Sequence, residues 1–261
     1  MIGEIKPIKG RINCGNHYLP KKKFPNIQAV IFDKDGTLAD SRDFLRQLGH
    51  WRSRLIDARI PGVGEPLLMA FGIQDDSLDA TGLMAVGSRR ENEIAAAAYI
   101  AETGRSWFES LSIARSAFDE ADQSVEDRAL LSPLFPGTRE LLQVLTAAGL
   151  KLGILSADST AGVEAFVTQH QLGDYFQLSM GVDSAALTKP DPRLFHQACA
   201  ALGVEPSATL MVGDSEGDRS MARKGGAAGV IAISWHSATA SDLQGADVAI
   251  ARLDEIKILN S

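Results

Sequence analysis

The segment that decides the fold is Ala29-Val30-Ile31-Phe32-Asp33-Lys34-Asp35-Gly36-Thr37-Leu38. Its first four residues form a short apolar run with β-branched members, which predicts a buried strand that ends at Asp33. A second carboxylate follows at Asp35, and Gly36 allows the backbone to turn sharply. Because Asp and Gly are common turn residues, a strand followed by an ordinary polar turn is the simpler interpretation. If the strand is parallel, however, both carboxylates lie at the sheet edge where ligands bind, as a nucleophile and its acid/base partner would.

The composition is typical of a soluble globular protein. Of 261 residues, 45% are hydrophobic and 23% are charged, and the net charge of -7 disfavours binding to nucleic acid or anionic membranes. No apolar run approaches the ~20 residues of a membrane span, and the N-terminus lacks the apolar core of a signal peptide. Cys14 and Cys199 have no metal-ligand spacing, so we expect free thiols and a cytoplasmic protein. The oligomeric state stays open.

Two kinds of pattern follow the opening strand, which we place at residues 27–33. From Ser41 to residue 132 the apolar spacing is helical, without a convincing strand, and Ser88 with Glu91 forms a capping-box pattern at one helix start. From residue 133 onward, strand and helix patterns alternate. Strands separated by single helices predict a parallel, doubly wound sheet.

We therefore predict an α/β fold with two parts. Residues 1–40 and 133–261 form a Rossmann-like core around the doubly wound sheet, and residues 1–26 are its N-terminal extension. Residues 41–132 form an all-helical domain that is inserted after the first strand of this sheet.

Four predicted segment ends carry polar residues of complementary chemistry. They are Asp33 and Asp35, Ser156 at the end of a buried strand, Lys189 ahead of a helix start, and Asp214 with Asp218 after another strand. Each is weak evidence alone, since a Ser there is usually a cap and a Lys before Pro is usually solvated. Together they fit phosphoryl transfer. Carboxylates hold Mg²⁺, which prefers oxygen ligands and neutralises phosphate charge, while a hydroxyl and an ammonium group bind the remaining phosphate oxygens.

In order and spacing, these motifs resemble those of the haloacid dehalogenase superfamily, over about residues 27–250. The stretch from Asp33 to Leu38 is similar to the family's first motif, Ser156 to its second, Lys189 to its third, and Gly213-Asp214 with Asp218 to its fourth. The inserted helices stand where the superfamily carries a helical cap, which closes over the site and supplies specificity.

The resemblance implies a role for each matching residue. Asp33 would attack phosphorus and form an aspartyl phosphate, while Asp35 would protonate the leaving alcohol and later deprotonate water. The Mg²⁺ ligands would be Asp33, the backbone carbonyl of Asp35, Asp214 and, directly or through water, Asp218. Ser156 and Lys189 would hold the phosphoryl group.

Several further residues are assigned to the substrate by their position. They are Thr37, Ala157 and Asp158 beside the first two motifs, and Arg89 and Arg90 at a helix start in the insertion. The two arginines are equally typical of a solvated helix start. Ala157 stands where many relatives have Asn, and Lys34 where an apolar residue is common. Strand alternation directs Lys34 away from Asp33, so we expect no effect of this lysine on the chemistry.

The same resemblance separates the candidate reactions. No lysine lies between Lys34 and Lys151, whereas relatives that form a Schiff base use a lysine of the cap, and sugar-phosphate mutases commonly do. Dehalogenases lack the acid at the position of Asp35. The sequence therefore favours a phosphatase similar to phosphoglycolate phosphatases and acting on a small phosphorylated metabolite. A phosphosugar mutase similar to β-phosphoglucomutase, or a regulatory or binding protein without turnover, are the alternatives.

Overall fold

The computed structural model describes residues 10–14, 22–124, 131–184, 187–235 and 244–259. The strands are β1 (Gly10–Cys14), β2 (Lys22–Ile27), β3 (Ala29–Phe32), β4 (Ile73–Gln74), β5 (Ser77–Leu78), β6 (Lys151–Leu155), β7 (Leu178–Met180), β8 (Thr209–Gly213), β9 (Gly229–Ile233), β10 (Val248–Ile250) and β11 (Lys257–Ile258). The helices are α1 (Arg42–Arg59), α2 (Gly64–Phe71), α3 (Leu83–Val86), α4 (Arg89–Glu102), α5 (Trp107–Ser124), α6 (Thr138–Ala147), α7 (Thr160–Gln169), α8 (Pro192–Leu202) and α9 (Glu216–Lys224).

The centre of the core is a six-stranded parallel sheet with the order β10-β9-β8-β3-β6-β7. Every residue of β3 is buried, because successive side chains of the strand point into different hydrophobic clusters. Val30 and Phe32 pack with residues of α6 and α7, whereas Ala29 and Ile31 pack with residues of α8 and α9. Helices thus cover both faces, and the predicted doubly wound α/β fold is confirmed.

The connections place three polar strand ends side by side. From β3 the chain crosses to β6 and β7 on one side, and then to β8, β9 and β10 on the other. The strand order therefore reverses at β3, which pairs with β6 and β8. Ligands of open α/β sheets bind at the carboxyl ends of strands at such a reversal.

The insertion between β3 and α6 has a hydrophobic cluster of its own, from Phe44 in α1 to Ala121 in α5. It is helical except for the hairpin of β4 and β5, which corrects the prediction of an all-helical insertion. Asp75, in the turn, adopts a φ of 49°, a conformation that Asp tolerates better than most residues. Because each strand has only two residues, no alternation could appear in the sequence.

The N-terminal strands β1 and β2 and the C-terminal strand β11 form a separate three-stranded antiparallel sheet with the order β11-β1-β2. Ile12, Phe24 and Ile27 from this sheet are buried in the same cluster as α6 and α7. The described part of the extension therefore covers part of one face of the core, while residues 1–9 and 15–21 lie outside the described residues. Among the helices of the described segments, none is long and apolar enough to cross a membrane.

Candidate active site

Three carboxylates and one ammonium group meet at the carboxyl edge of the sheet. Asp33 follows β3, Asp214 follows β8, Asp218 lies in the first turn of α9, and one carboxylate oxygen of each lies within 4.8 Å of the others. Lys189 places its Nζ atom 2.6 Å from Oδ1 of Asp33 and 2.6 Å from Oδ1 of Asp218. These four residues, predicted from three separate motifs, are thus brought together.

Close backbone approach makes this cluster possible. The amide of Asp33 donates to the carbonyl oxygen of Val212 at 2.9 Å, which extends the pairing of β3 with β8 up to the carboxylate. Gly36 has a φ of +77°, and a Cβ atom there would lie 2.2 Å from Oδ2 of Asp214. A residue with a side chain at position 36 would therefore be strained and would displace Asp214.

The helix start at α9 orients the third carboxylate. Ser215 is the N-cap, and its Oγ accepts a hydrogen bond from the amide of Asp218 while donating to Oδ2 of Asp218 at 2.6 Å. This capping box holds one carboxylate oxygen and points the other, Oδ1, toward Lys189. Oδ1 receives no well-directed hydrogen bond from the described residues, although Nζ of Lys189 is close, so a lone pair is left for another ligand.

The electrostatics of the cluster show an excess of negative charge. Burial raises the pKa of Asp33 to about 7; Lys189 opposes this effect, and the charges of Asp218 and Asp35 add to it. The pKa of Asp214 is also raised. Although the residue is exposed at the cleft, the surrounding protein atoms desolvate its carboxyl group, and the charges of Asp33 and Asp218 repel its ionised form. The pKa of Lys189 is lowered by burial but raised overall by Asp218 and Asp33. A second cation would relieve this repulsion.

The residues present fit a divalent cation such as Mg²⁺. They offer carboxylate oxygens from three directions, and hard cations prefer oxygen donors. Lys189 compensates only one of the three charges, and Oδ1 of Asp218 keeps unused acceptor capacity. Asp33, Asp214 and Asp218 are therefore candidate ligands, and the predicted contribution of the Asp35 carbonyl stays a prediction.

The contribution of Asp33 to the stability of the metal-free protein is expected to decrease as the pH rises from about 4 to about 7. In the unfolded chain Asp33 ionises near 3.8, whereas its pKa in the folded protein is about 7, so the folded state binds the extra proton in this range. Since metal ligands must be ionised, Mg²⁺ should raise the melting temperature more at pH 8 than at pH 5. Thermal unfolding in EDTA and in Mg²⁺ at both pH values measures this, and an equal shift at the two would contradict the assignment.

Lys34 contacts two carboxylates beside the site, Asp35 and Asp158, which the sequence analysis did not predict; the expectation that it has no effect on the chemistry stays a prediction. Its Nζ lies 2.8 Å from Oδ1 and 2.7 Å from Oδ2 of Asp35, and 3.2 Å from Oδ2 of Asp158. Strand alternation describes where the side chain leaves the backbone, but a lysine is long enough to turn its ammonium group toward a neighbouring carboxylate. Burial lowers the pKa of Lys34, but the two carboxylates raise it overall.

Ser156 lies directly after β6, beside the end of β3, and is buried. Its amide donates to the carbonyl oxygen of Met180 at 3.0 Å, and its Oγ accepts from the amide of Asp158 at 3.1 Å. No acceptor for the hydroxyl hydrogen is found among the described residues, so it can donate to a ligand. That this acceptor is a phosphate oxygen stays a prediction.

Thr37 is buried, and its hydroxyl donates to Oδ1 of Asp214 at 3.2 Å. The structure thus places this residue, predicted near the substrate, on a candidate metal ligand. Ala157 and Asp158 line a cavity of about 80 Å³ between the insertion and the core, together with Asp35.

The two predicted arginines of the insertion make ion pairs. Arg89 lines the same cavity and lies 2.6 Å from Asp119, whereas Arg90 lies 3.0 Å from Glu93. Both arginines are therefore paired with acids of the insertion, and their contact with a substrate stays a prediction.

Two residues near the site were not identified from the sequence. Arg52 is buried in the wall of the 80 Å³ cavity, 3.0 Å from Asp122, and its position in the apolar stripe of α1 was a usable signal. Trp235 stacks on Phe135 with ring centroids 3.8 Å apart and donates from Nε1 to the carbonyl oxygen of Gly36 at 3.0 Å. No local pattern predicts a contact between positions 36 and 235.

The chain is similar to known hydrolases and phosphatases. A model of the haloacid dehalogenase-like hydrolase family matches residues 27–226. The phosphoglycolate phosphatase of Yersinia pseudotuberculosis is 30% identical over 210 residues, which cover 78% of this chain and 80% of that protein. The phosphoglycolate phosphatase of Chromobacterium violaceum is 30% identical over 234 residues, which cover 88% and 95%. A crystal structure described as a predicted phosphoglycolate phosphatase of Haemophilus somnus matches 87% of this chain and 95% of its own, with 20% identity and a TM-score of 0.63.

Proposed function

The chain belongs to the haloacid dehalogenase-like hydrolase family as a phosphatase, and we propose that it hydrolyses a small phosphate monoester with Mg²⁺ through an aspartyl phosphate on Asp33. The observation that carries the proposal is the position of Asp33. Its carboxylate ends the central strand, contacts Lys189 and lies within 4.8 Å of two further carboxylates. This is a nucleophile beside a cation-binding group of acids.

In the first step, a carboxylate oxygen of Asp33 forms a bond to phosphorus as the bond from phosphorus to the ester oxygen breaks. The leaving alcohol takes a proton from the carboxyl group of Asp35, two residues away at the edge of the same cleft. Asp35 lines both the 80 Å³ cavity and a larger one of about 980 Å³, so substrate and water can reach it.

In the second step, water attacks phosphorus and breaks its bond to Asp33, which releases inorganic phosphate. The carboxylate of Asp35 takes the proton of this water, so each turnover restores the starting protonation. Hydrolysis is thus divided into two displacements. In the first, the nucleophile is a carboxylate that the fold holds in place, rather than a water molecule that would first have to be oriented.

Positive groups of the site would compensate the negative charge of the phosphoryl group. Lys189, already 2.6 Å from Asp33, is placed to hold the phosphoryl oxygens, and Ser156 can donate its hydroxyl to another. Mg²⁺ held by Asp33, Asp214 and Asp218 would neutralise phosphate charge, which lets an anionic nucleophile approach an anionic ester.

The size of the substrate follows from the cavities. The 980 Å³ cavity reaches Asp35, Lys189 and Asp214 and extends along the insertion, whose residues Leu83 and Val86 line it. A space of this volume is large enough for a small phosphorylated metabolite. Because two relatives are phosphoglycolate phosphatases, phosphoglycolate is the first ester to test. We place the reaction in the cytoplasm.

The test is phosphate release from a panel of phosphorylated metabolites, with Mg²⁺ and with EDTA. We expect hydrolysis of at least one ester, loss of activity in EDTA by at least about 10²-fold, and recovery when Mg²⁺ is restored. No release from any ester in Mg²⁺ would favour a regulatory or binding role. Isomerisation of a sugar phosphate faster than its hydrolysis would favour a mutase.

A further inference from the structure

We propose that Lys34 is a positioning residue, which holds the carboxylate of Asp35 and ties it to the loop that carries Ser156. This inference rests on the proposed function, in which Asp35 moves protons. It assigns a role to a residue that has no place in the chemical steps themselves.

The contacts of Lys34 are short and shielded from solvent. Nζ lies within 2.8 Å of both carboxylate oxygens of Asp35 and 3.2 Å from Oδ2 of Asp158, and the residue is only 4% exposed. Nζ also lies 5.7 Å from the centroid of the Phe166 ring, on α7. A buried ammonium group between two carboxylates is not free to swing into solvent, so it constrains both of its partners.

The second partner is itself anchored. Oδ1 of Asp158 accepts from the amide of Ser159 at 2.7 Å, and its carbonyl oxygen accepts from the amide of Val182 at 2.7 Å. The amide of Asp158 donates to Oγ of Ser156 at 3.1 Å. A continuous set of polar contacts thus runs from Asp35 through Lys34 and Asp158 to the hydroxyl predicted to hold phosphate.

Orientation matters for Asp35 because of where it lies. Asp35 is a lining residue of two cavities, and without a partner its carboxyl group could take more than one rotamer. A general acid must be within about 2.6–3.2 Å of the oxygen that it protonates, and a displacement of 1 Å can cost about 10²-fold in rate. When one oxygen of Asp35 carries the proton, the contact of Lys34 with the other oxygen restricts this rotation, so the acid is in place when the ester binds.

The competing explanation is that Lys34 only stabilises the fold. The two roles differ in their dependence on the leaving group. An alkyl alcohol leaves only if Asp35 protonates it, whereas p-nitrophenolate leaves without a proton. The ratio kcat/KM depends only on the steps up to transfer of the phosphoryl group to Asp33. It therefore reports on protonation of the leaving group and not on the later attack of water.

The experiment compares Lys34→Met with the unmodified protein on an alkyl phosphate and on p-nitrophenyl phosphate. We expect kcat/KM to fall by about tenfold or more for the alkyl ester and to stay within about twofold for the aryl ester. Lys151→Met is the matched control, since Lys151 lies at the opposite end of the neighbouring strand and donates to Leu202. This control should keep both values.

A second variant protects the test against misfolding of the first. Asp158→Asn keeps Lys34 but weakens its second anchor, so the alkyl ester should again lose more than the aryl ester. An equal loss on both esters, or no loss on either, overturns the inference while the proposed function stands. The alkyl ester is one that the unmodified protein hydrolyses in the metabolite panel; if it hydrolyses no ester of that panel, or if Asp33→Asn retains turnover, the proposed function itself fails.

Discussion

Replacement of Asp33 by Asn is expected to abolish phosphate release, with a loss of at least about 10³-fold in kcat. The amide of Asn has nearly the shape of the carboxylate, but it neither attacks phosphorus nor binds a hard cation well. No phosphoryl group should be trapped on the variant protein. Phosphate release assays and the mass of the protein after brief exposure to substrate measure both effects.

The same substitution is expected to leave the fold intact. Since burial and the neighbouring charges of Asp218 and Asp35 raise the pKa of Asp33 despite Lys189, its ionised form is unfavourable in the metal-free protein. Without this charge, the melting temperature in EDTA at pH 8 should be equal or higher. Asp174→Asn, at an exposed position after α7, is the matched control and should keep full activity. Turnover by the Asp33→Asn variant would show that Asp33 is not the nucleophile.

Replacement of Lys189 by Met is expected to lower kcat by about 10²–10³-fold, the usual effect of removing one preorganised donor that stabilises a transition state. Lys189 is the ammonium group nearest to Asp33, and no other lysine contacts this carboxylate among the described residues. The phosphoryl group would therefore lose a fixed positive charge during both displacements. The rate of phosphate release at saturating substrate measures this loss.

Lys189→Met should also change stability in a way that depends on Mg²⁺. Breaking a buried ion pair by removing one partner typically costs about 3–5 kcal/mol, because the other charges stay buried and uncompensated. The melting temperature in EDTA should therefore fall, and Mg²⁺ should raise it more in the variant than in the unmodified protein. Lys224→Met, at an exposed position of α9, is the control. The same Mg²⁺ shift in both proteins would speak against a shared role of Lys189 and the metal.

Much of the fold was predictable because its signals are local. The run that forms β3, the capping box of Ser88 and Glu91, and the helix over Pro192–Leu202 each depend on neighbours within a few residues, and the structure contains all three. The hairpin of β4 and β5 was missed because two residues cannot show a period. The parallel sheet followed from the alternation of strands and helices alone.

Within the site, the acids and Lys189 were predictable from the sequence, but the long-range hydrogen bonds around them were not. Motif spacing pointed to Asp33, Asp214 and Asp218, since each directly follows a strand or opens a helix. The bond from Thr37 to Asp214 spans 177 positions and the bond from Trp235 to Gly36 spans 199. No periodicity relates such distant residues, so their contacts depend on how the strands are ordered.

The sequence by itself determined the chemistry of this protein: which strand is central, which acids end it and its neighbour, and where a lysine and a hydroxyl follow. Short sequence patterns predict these features, because strand, turn and cap preferences depend on neighbours within a few residues. Only the tertiary structure decided how the charges are paired. Lys34 lies beside Asp33 in the chain, yet its ammonium group contacts Asp35 and Asp158. The reason is that β6 lies next to β3 in the sheet, which brings the loop at Asp158 within reach of a buried lysine that needs compensating charge.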